Sequence, residues 1–165
     1  MKLVVQDACI LIDLLESGLW HHWSKLGIET VTTDLVVNEI TDPAQKGTFD
    51  SFRDQGGITV IQLAEEQLEE VFLINTELSG GISLPDSSVL YLAIEKKAAL
   101  LTGDSALTKK ARQKNIQVRG ILWVLDTLIS KNIIESSTAK NKLKNLINAG
   151  CRLPLEECNK RLNMW

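Results

Sequence analysis

LVVQDACILIDLL (Leu3–Leu15) is an apolar run first interrupted by an acid at Asp7, after which apolar residues return at helical spacing. Leu3–Gln6 reads as a short buried strand, and Ile10–Glu16 as a helix ending near Gly18. ALLTGDSALTKKA (Ala99–Ala111) repeats the pattern: strand Ala99–Thr102, acid Asp104, then helix Ser105–Lys114. A strand that ends on a carboxylate and passes into a helix is a building unit of an α/β protein.

Working outward, Ile28–Thr32, Ile58–Leu63 and Ile116–Arg119 read as further strands. Helices are expected over Trp20–Leu26, Asp34–Ile40, Ala44–Gln55, Ala64–Leu78 and Pro85–Ala98, with Gly80-Gly81 closing the fourth of these. After Gly120 the alternation stops, and Ile121–Lys131, Ser136–Ala149 and Leu155–Met164 are all helical in pattern. The expected architecture is an α/β fold. It is a three-layer α/β/α sandwich on a mostly parallel central sheet, with a helical C-terminal extension. We read residues 1–165 as a single domain, 1–120 forming the α/β core and 121–165 the helical extension.

Composition narrows the class. The 165 residues are 44% hydrophobic and 24% charged, enough apolar content for a core without staples. No apolar run approaches the ~20 residues that span a bilayer, so no membrane partner is expected. MKLVVQD does not read as a signal peptide, because Asp7 follows a short apolar run. Three cysteines at no zinc-like spacing fit a reducing cytoplasm. His21 and His22 would point about 100° apart on a helix, so they read as surface beside Trp20 and Trp23 rather than as a metal pair. A net charge of −3 argues against indiscriminate coating of nucleic acid. It does not argue against a nuclease whose acids gather in one site. The cations cluster too: Lys109, Lys110, Arg112, Lys114 and Arg119 form one group, and Lys140, Lys142 and Lys144 another.

The acids carry the chemical reading. In an open α/β sheet, ligands bind at the carboxyl ends of the strands, which is where Asp7 and Asp104 fall. Asp86, behind Pro85, shares a helix face with Leu90, Ala93 and Ile94, and is expected to face the sheet. Glu39 is expected at the rim of a buried face. Each has a plainer role: Asp104 could cap a helix, and Asp86 could complement a helix dipole. A cap alone explains Asp7 less well, and Glu39 not at all. Carboxylates 4 Å apart repel by ~1 kcal/mol in water and by several-fold more at a partly buried rim. Such a group needs a proton or a cation. With oxygen donors and no adjacent thiol or histidine pair, the cation is Mg²⁺ or Mn²⁺. Its chemistry at a carboxylate cluster is phosphodiester hydrolysis. Thr102 places a hydroxyl beside Asp104. Lys109, Lys110 and Arg112 are candidates for holding a phosphate backbone. Asp13, six residues after Asp7, is expected to face solvent.

Asp7 in LVVQDACILIDLL, Glu39 in TTDLVVNEI, Asp86 in SLPDSSVLYLA and Asp104 in LLTGDSALTKKA follow in the order seen in PIN-domain ribonucleases, which Met1 to about Gly120 resembles. The tail resembles a PIN subgroup with extra C-terminal helices. The resemblance implies a PIN-like, Rossmann-like fold. It implies metal ligation and catalysis by Asp7, Glu39, Asp86 and Asp104, with Thr102 in support. It further implies Mg²⁺- or Mn²⁺-dependent endonucleolytic cleavage of RNA, membership of a toxin–antitoxin pair with an antitoxin protein as partner, and a homodimer. Two departures stand out: Cys9 where Asn or Ser is frequent, and Leu107 where an aromatic is common. The competing expectation is a catalytically silent module that keeps the fold but only binds RNA or protein, with Leu122, Trp123 and Leu125 as apolar surface. An aspartate-based phosphatase would want an acid at position 9, where Cys9 stands.

Overall fold

A computed structural model describes residues 2–77 and 81–165. The strands are β1 (Leu3–Gln6), β2 (Glu29–Thr33), β3 (Thr59–Ile61), β4 (Ala99–Leu101) and β5 (Val118–Arg119). They form one sheet in the order β3-β2-β1-β4-β5, and every pairing is parallel. β1 is central: Val5 pairs with Val31 on one side and Leu100 on the other. Val4, Val5, Leu100 and Leu101 are fully buried, as strands covered on both faces require. The sheet grows outward from β1 to β3. The chain then crosses back and lays β4 on the other side of β1. That reversal makes the β1–β4 crevice the switch point of the sheet.

Helices α1 (Ala8–Glu16), α2 (Trp20–Trp23), α3 (Asp34–Val37), α4 (Pro43–Asp54), α5 (Glu65–Glu77), α6 (Leu84–Glu95) and α7 (Ser105–Gln113) link and cover the strands, and complete the α/β sandwich. Three further helices follow β5: α8 (Ile121–Ser130), α9 (Ser136–Asn148) and α10 (Leu155–Met164). Their buried residues, among them Val124, Leu125, Leu128, Leu143 and Cys158, join the same apolar cluster as Val4 and Leu100. Polar ties reinforce the docking. The Lys142 ammonium donates to the Ser17 carbonyl at the end of α1, where a cation complements the helix dipole. Arg161 of α10 forks onto Asp126 of α8 at 2.8–3.2 Å. Among the described residues no helix is long and apolar enough to cross a membrane.

The elements match the expected ones in kind and order, and differ at their ends. The helix expected over Asp34–Ile40 stops at Val37: Asp42 caps the next helix and Pro43 opens it, a pair that holds the chain extended and restarts it. The helix expected through Leu26 becomes a 3-10 turn over Ser24–Leu26, closed by Gly27 at φ 64°. His21 is exposed and lies against the buried Trp20, 3.4 Å between ring centroids, in line with a surface place beside the tryptophans. The end of the fourth expected helix at Leu78, and Gly80 of its Gly80-Gly81 closure, lie outside the described residues.

Candidate active site

All four acids stand at one edge of the sheet. Asp7 directly follows β1 and Asp104 lies just beyond β4. Glu39 follows α3, which itself begins at the end of β2. Asp86 is in the first turn of α6, the helix that leads back into β4.

Asp7 is the anchor. It is 3% exposed, and its place in the fold is fixed three ways. Its Oδ1 accepts from the Ala8 N–H at 2.7 Å, so Asp7 does cap α1, a role the sequence made look insufficient. Its Oδ2 accepts from the Thr102 hydroxyl at 2.7 Å and from the Cys9 thiol at 3.1 Å. Thr102 Oγ1 in turn accepts from the Asp104 N–H at 3.0 Å, and Cys9 Sγ from the Gly103 N–H at 3.0 Å. Thr102 and Cys9 thus bridge the ends of β1 and β4. Cys9, which read as a departure in the sequence, is part of this lattice.

The remaining acids are held more loosely. Asp86 forms a capping box with Ser83: its Oδ2 accepts from the Ser83 N–H at 2.7 Å. Asp104 caps α7, its Oδ1 accepting from the Leu107 N–H at 2.7 Å. Each keeps one carboxylate oxygen without a hydrogen bond among the described residues. Glu39 is exposed by surface area yet partly desolvated, in the turn after α3 and next to the buried Ile40, so it stands at the rim of the buried face and not inside it.

The electrostatics tie three of the four together. Burial pushes the Asp7 carboxyl above its ordinary 3.8; the Cys9 and Thr102 bonds oppose the rise, and the Asp86 charge adds to it. Burial also raises Glu39, followed by the charges of Asp7 and Asp86. Every charged group that perturbs these two acids is another carboxylate. Burial next to Asp7 pushes the Cys9 thiol up to about 12, so it acts as a neutral donor rather than a thiolate nucleophile. Among the described residues, no three acidic, cysteine or histidine side chains are already drawn together tightly enough to enclose a cation.

Lys109, Lys110 and Arg112 lie further along α7, roughly 8–12 Å from its acid end by helical rise. Lys109 and Arg112 border a surface hollow with Ser105 and Thr108. The structure places these cations beside the acids, not among them.

Asp13 departs from expectation. It is half-buried, and its Oδ1 accepts from the Cys151 thiol at 3.1 Å. Burial raises its carboxyl above 3.8, opposed by the Cys151 bond and aided by Glu16. The same neighbourhood pushes the Cys151 thiol up to about 12, burial first and Asp13 after it. The spacing from Cys9 to Asp13, one helical turn, carried a signal that both share a face of α1. What covers that face arrives from 138 residues away.

A parallel sheet with a carboxylate at its switch point defines a class of acid-centred α/β proteins, and the match to known proteins is specific within it. Residues 3–165 fit the family model described as a PIN domain, so the chain belongs to the PIN-domain family, a family of nucleases. It is similar to the endoribonuclease Nob1 of Methanocaldococcus jannaschii, at 28% identity over 127 residues, 74% of this chain and 58% of that protein. The match therefore spans 58%, under two thirds, of that relative's length. The fold resembles PAE2754 of Pyrobaculum aerophilum, with a TM-score of 0.57 at 18% identity over 77% of this chain and 89% of that one. It also resembles the PilT N-terminus domain protein SSO1118 of Sulfolobus solfataricus, with a TM-score of 0.53 at 20% identity over 81% and 94%. A third similar chain comes from the VapBC2 structure of Rickettsia felis bound to a promoter DNA fragment, with a TM-score of 0.51 at 14% identity over 72% and 98%.

Proposed function

We propose that this chain is a divalent-metal-dependent endoribonuclease that hydrolyses RNA phosphodiester bonds at the β1–β4 edge. One observation carries the reading: Asp7 is buried and fixed, and the charged groups that perturb it and Glu39 are carboxylates only. The donor set fits a hard cation, being all oxygen, with unbonded carboxylate oxygens left on Asp86 and Asp104. Asp7, Glu39, Asp86 and Asp104 would hold Mg²⁺ or Mn²⁺. Bound there, the ion supplies activation of water and compensation of charge on the phosphoryl oxygens.

The chain's own residues do the rest. Thr102 and Cys9 lock the Asp7 carboxylate in one orientation, as outer partners do for metal ligands. Glu39, exposed and without a hydrogen bond among the described residues, takes the proton of the attacking water on its carboxylate. Lys109, Lys110 and Arg112 hold the RNA backbone flanking the cut. We further read the chain as the toxin of a toxin–antitoxin pair, acting as a homodimer in the cytoplasm; the likeness in fold to a chain of a VapBC structure supports the antitoxin partner alone.

The competing reading, a silent RNA- or protein-binding module, draws on the acids' not yet converging around a common point among the described residues. A cleavage assay on the purified chain with end-labelled RNA separates the two. Cutting that depends on added Mg²⁺ or Mn²⁺ and stops with a chelator supports the enzyme. RNA left intact at every metal concentration overturns it.

A further inference from the structure

Next to the acid edge lies a cavity of about 550 Å³ that the proposed chemistry does not use. Its walls come from α1, the turn after β4, the start of α8 and the segment 151–154. It shares a wall with the acid site: Cys9 and Thr102, which bond Asp7, and Asp104 all border it. The lining is otherwise mostly apolar, including Trp123 and Leu153. Trp123 is braced by the Trp23 ring, 6.3 Å between centroids, and by the Arg119 guanidinium, 5.8 Å from its ring.

We propose that this cavity seats a nucleobase of the RNA next to the scissile phosphate, and that the Asp13 carboxylate selects guanine there. Size and lining suit a flat heterocycle: small-ligand sites run from about 300 to 1,000 Å³, with apolar walls and a few placed polar groups. Sequence-specific recognition of RNA works on unstacked bases whose pairing edges are hydrogen-bonded by side chains. Asp13 is such a group. Its Oδ2 has no hydrogen bond among the described residues, and its Oδ1 accepts one, from the Cys151 thiol, which leaves that oxygen a second lone pair, so both oxygens can receive a donor. An ionised carboxylate only accepts. Guanine alone among the four bases offers two adjacent donors, N1–H and the N2 amine, on its pairing edge. Adenine and cytosine offer one amine beside an acceptor, and uracil a single N–H between two carbonyls. Arg152, exposed at the same cavity, suits the phosphate attached to the seated nucleotide. An apolar peptide side chain would fill the walls but leave the free oxygen of Asp13 unmatched.

This inference rests on the nuclease reading for its RNA, and its test does not depend on cleavage. Guanosine, adenosine, cytidine and uridine are titrated separately into the metal-free chain and followed by tryptophan fluorescence and calorimetry. Nucleosides avoid repulsion between a phosphate and the acids. Guanosine is expected to bind at least tenfold more tightly than the other three. Asp13→Asn is expected to erase that preference, and Trp123→Leu to weaken all four. Equal binding of the four by the unaltered chain, or no binding at all, overturns the proposal without any variant. A preference that survives Asp13→Asn overturns the role of Asp13. Selective guanosine binding by a chain that never cuts RNA would remove the proposed function and keep the cavity's assignment. Base-indifferent cutting without selective binding would do the reverse.

Discussion

The two flanks of the acid edge are built differently. On the β1–β4 flank, Asp7 is buried, capped onto α1 and gripped by Thr102 and Cys9, whose own partners are backbone N–H groups of Gly103 and Asp104. On the α3–α6 flank, Glu39 is exposed beyond the end of a four-residue helix, and Asp86 spends one oxygen on a cap. One flank fixes a charge in place before anything binds. The other leaves the Glu39 carboxylate exposed and without a hydrogen bond among the described residues. Under the proposed function, that division would let the held Asp7 locate the cation and the exposed Glu39 handle the proton.

The largest expected effect comes from breaking the rigid flank. Asp7→Asn should reduce RNA cleavage by more than the roughly 10–100-fold attached to outer-sphere partners. It should leave the chain folded at a cost of about 1–3 kcal/mol, because Asn keeps the cap on α1 but sets an amide NH2 against the Thr102 and Cys9 donors. Initial rates with labelled RNA, beside a thermal unfolding curve, check both halves. A Thr102→Val chain keeps the charge and loses its grip, and the expected loss falls within about 10–100-fold. If it matched Asp7→Asn, orientation rather than charge would dominate. On the exposed flank, Glu39→Gln should lower the rate while leaving Mn²⁺ affinity closer to that of the unaltered chain than Asp7→Asn does. Its pH–rate profile should lose the limb due to the base.

The smallest effect is a pH dependence of stability. The folded-state carboxyls of Asp7, Glu39 and Asp13 all lie above their ordinary values. Between the ordinary and the raised pKa, the native chain binds more protons than the unfolded one. Their contribution is therefore fully present below the unfolded values of 3.8 for the two aspartates and 4.5 for Glu39, and is lost as pH rises through the folded ones. Asp7→Asn should flatten that decline in urea melts run across acidic to neutral pH in chelator.

Much of the rigid flank was legible in the sequence. Leu3–Leu15 and Ala99–Ala111 each switch from a buried strand to helical spacing across one acid, and that switch alone puts Asp7 and Asp104 at one edge once β1 and β4 are neighbours. The exposed flank was less legible. Nothing between Asp34 and Ile40 marks a stop at Val37; the stop comes from the Asp42-Pro43 pair beyond. Asp13 was misread for a different reason. Its spacing from Cys9 shows which face of α1 it shares, but not that the segment after α9 lies over that face and brings Cys151 to it. Long-range docking of the C-terminal helices depends on shape and on single bonds such as Lys142 to Ser17, which no local period encodes.

Mn²⁺ titration calorimetry on the unaltered chain, Asp7→Asn and Asp86→Asn tests most directly whether these acids share one dication. The expected result is saturable binding below millimolar Mn²⁺ in the unaltered chain, abolished by Asp7→Asn and weakened by Asp86→Asn. Saturable binding of equal strength in all three chains, or no heat at millimolar Mn²⁺ in the unaltered one, would contradict it.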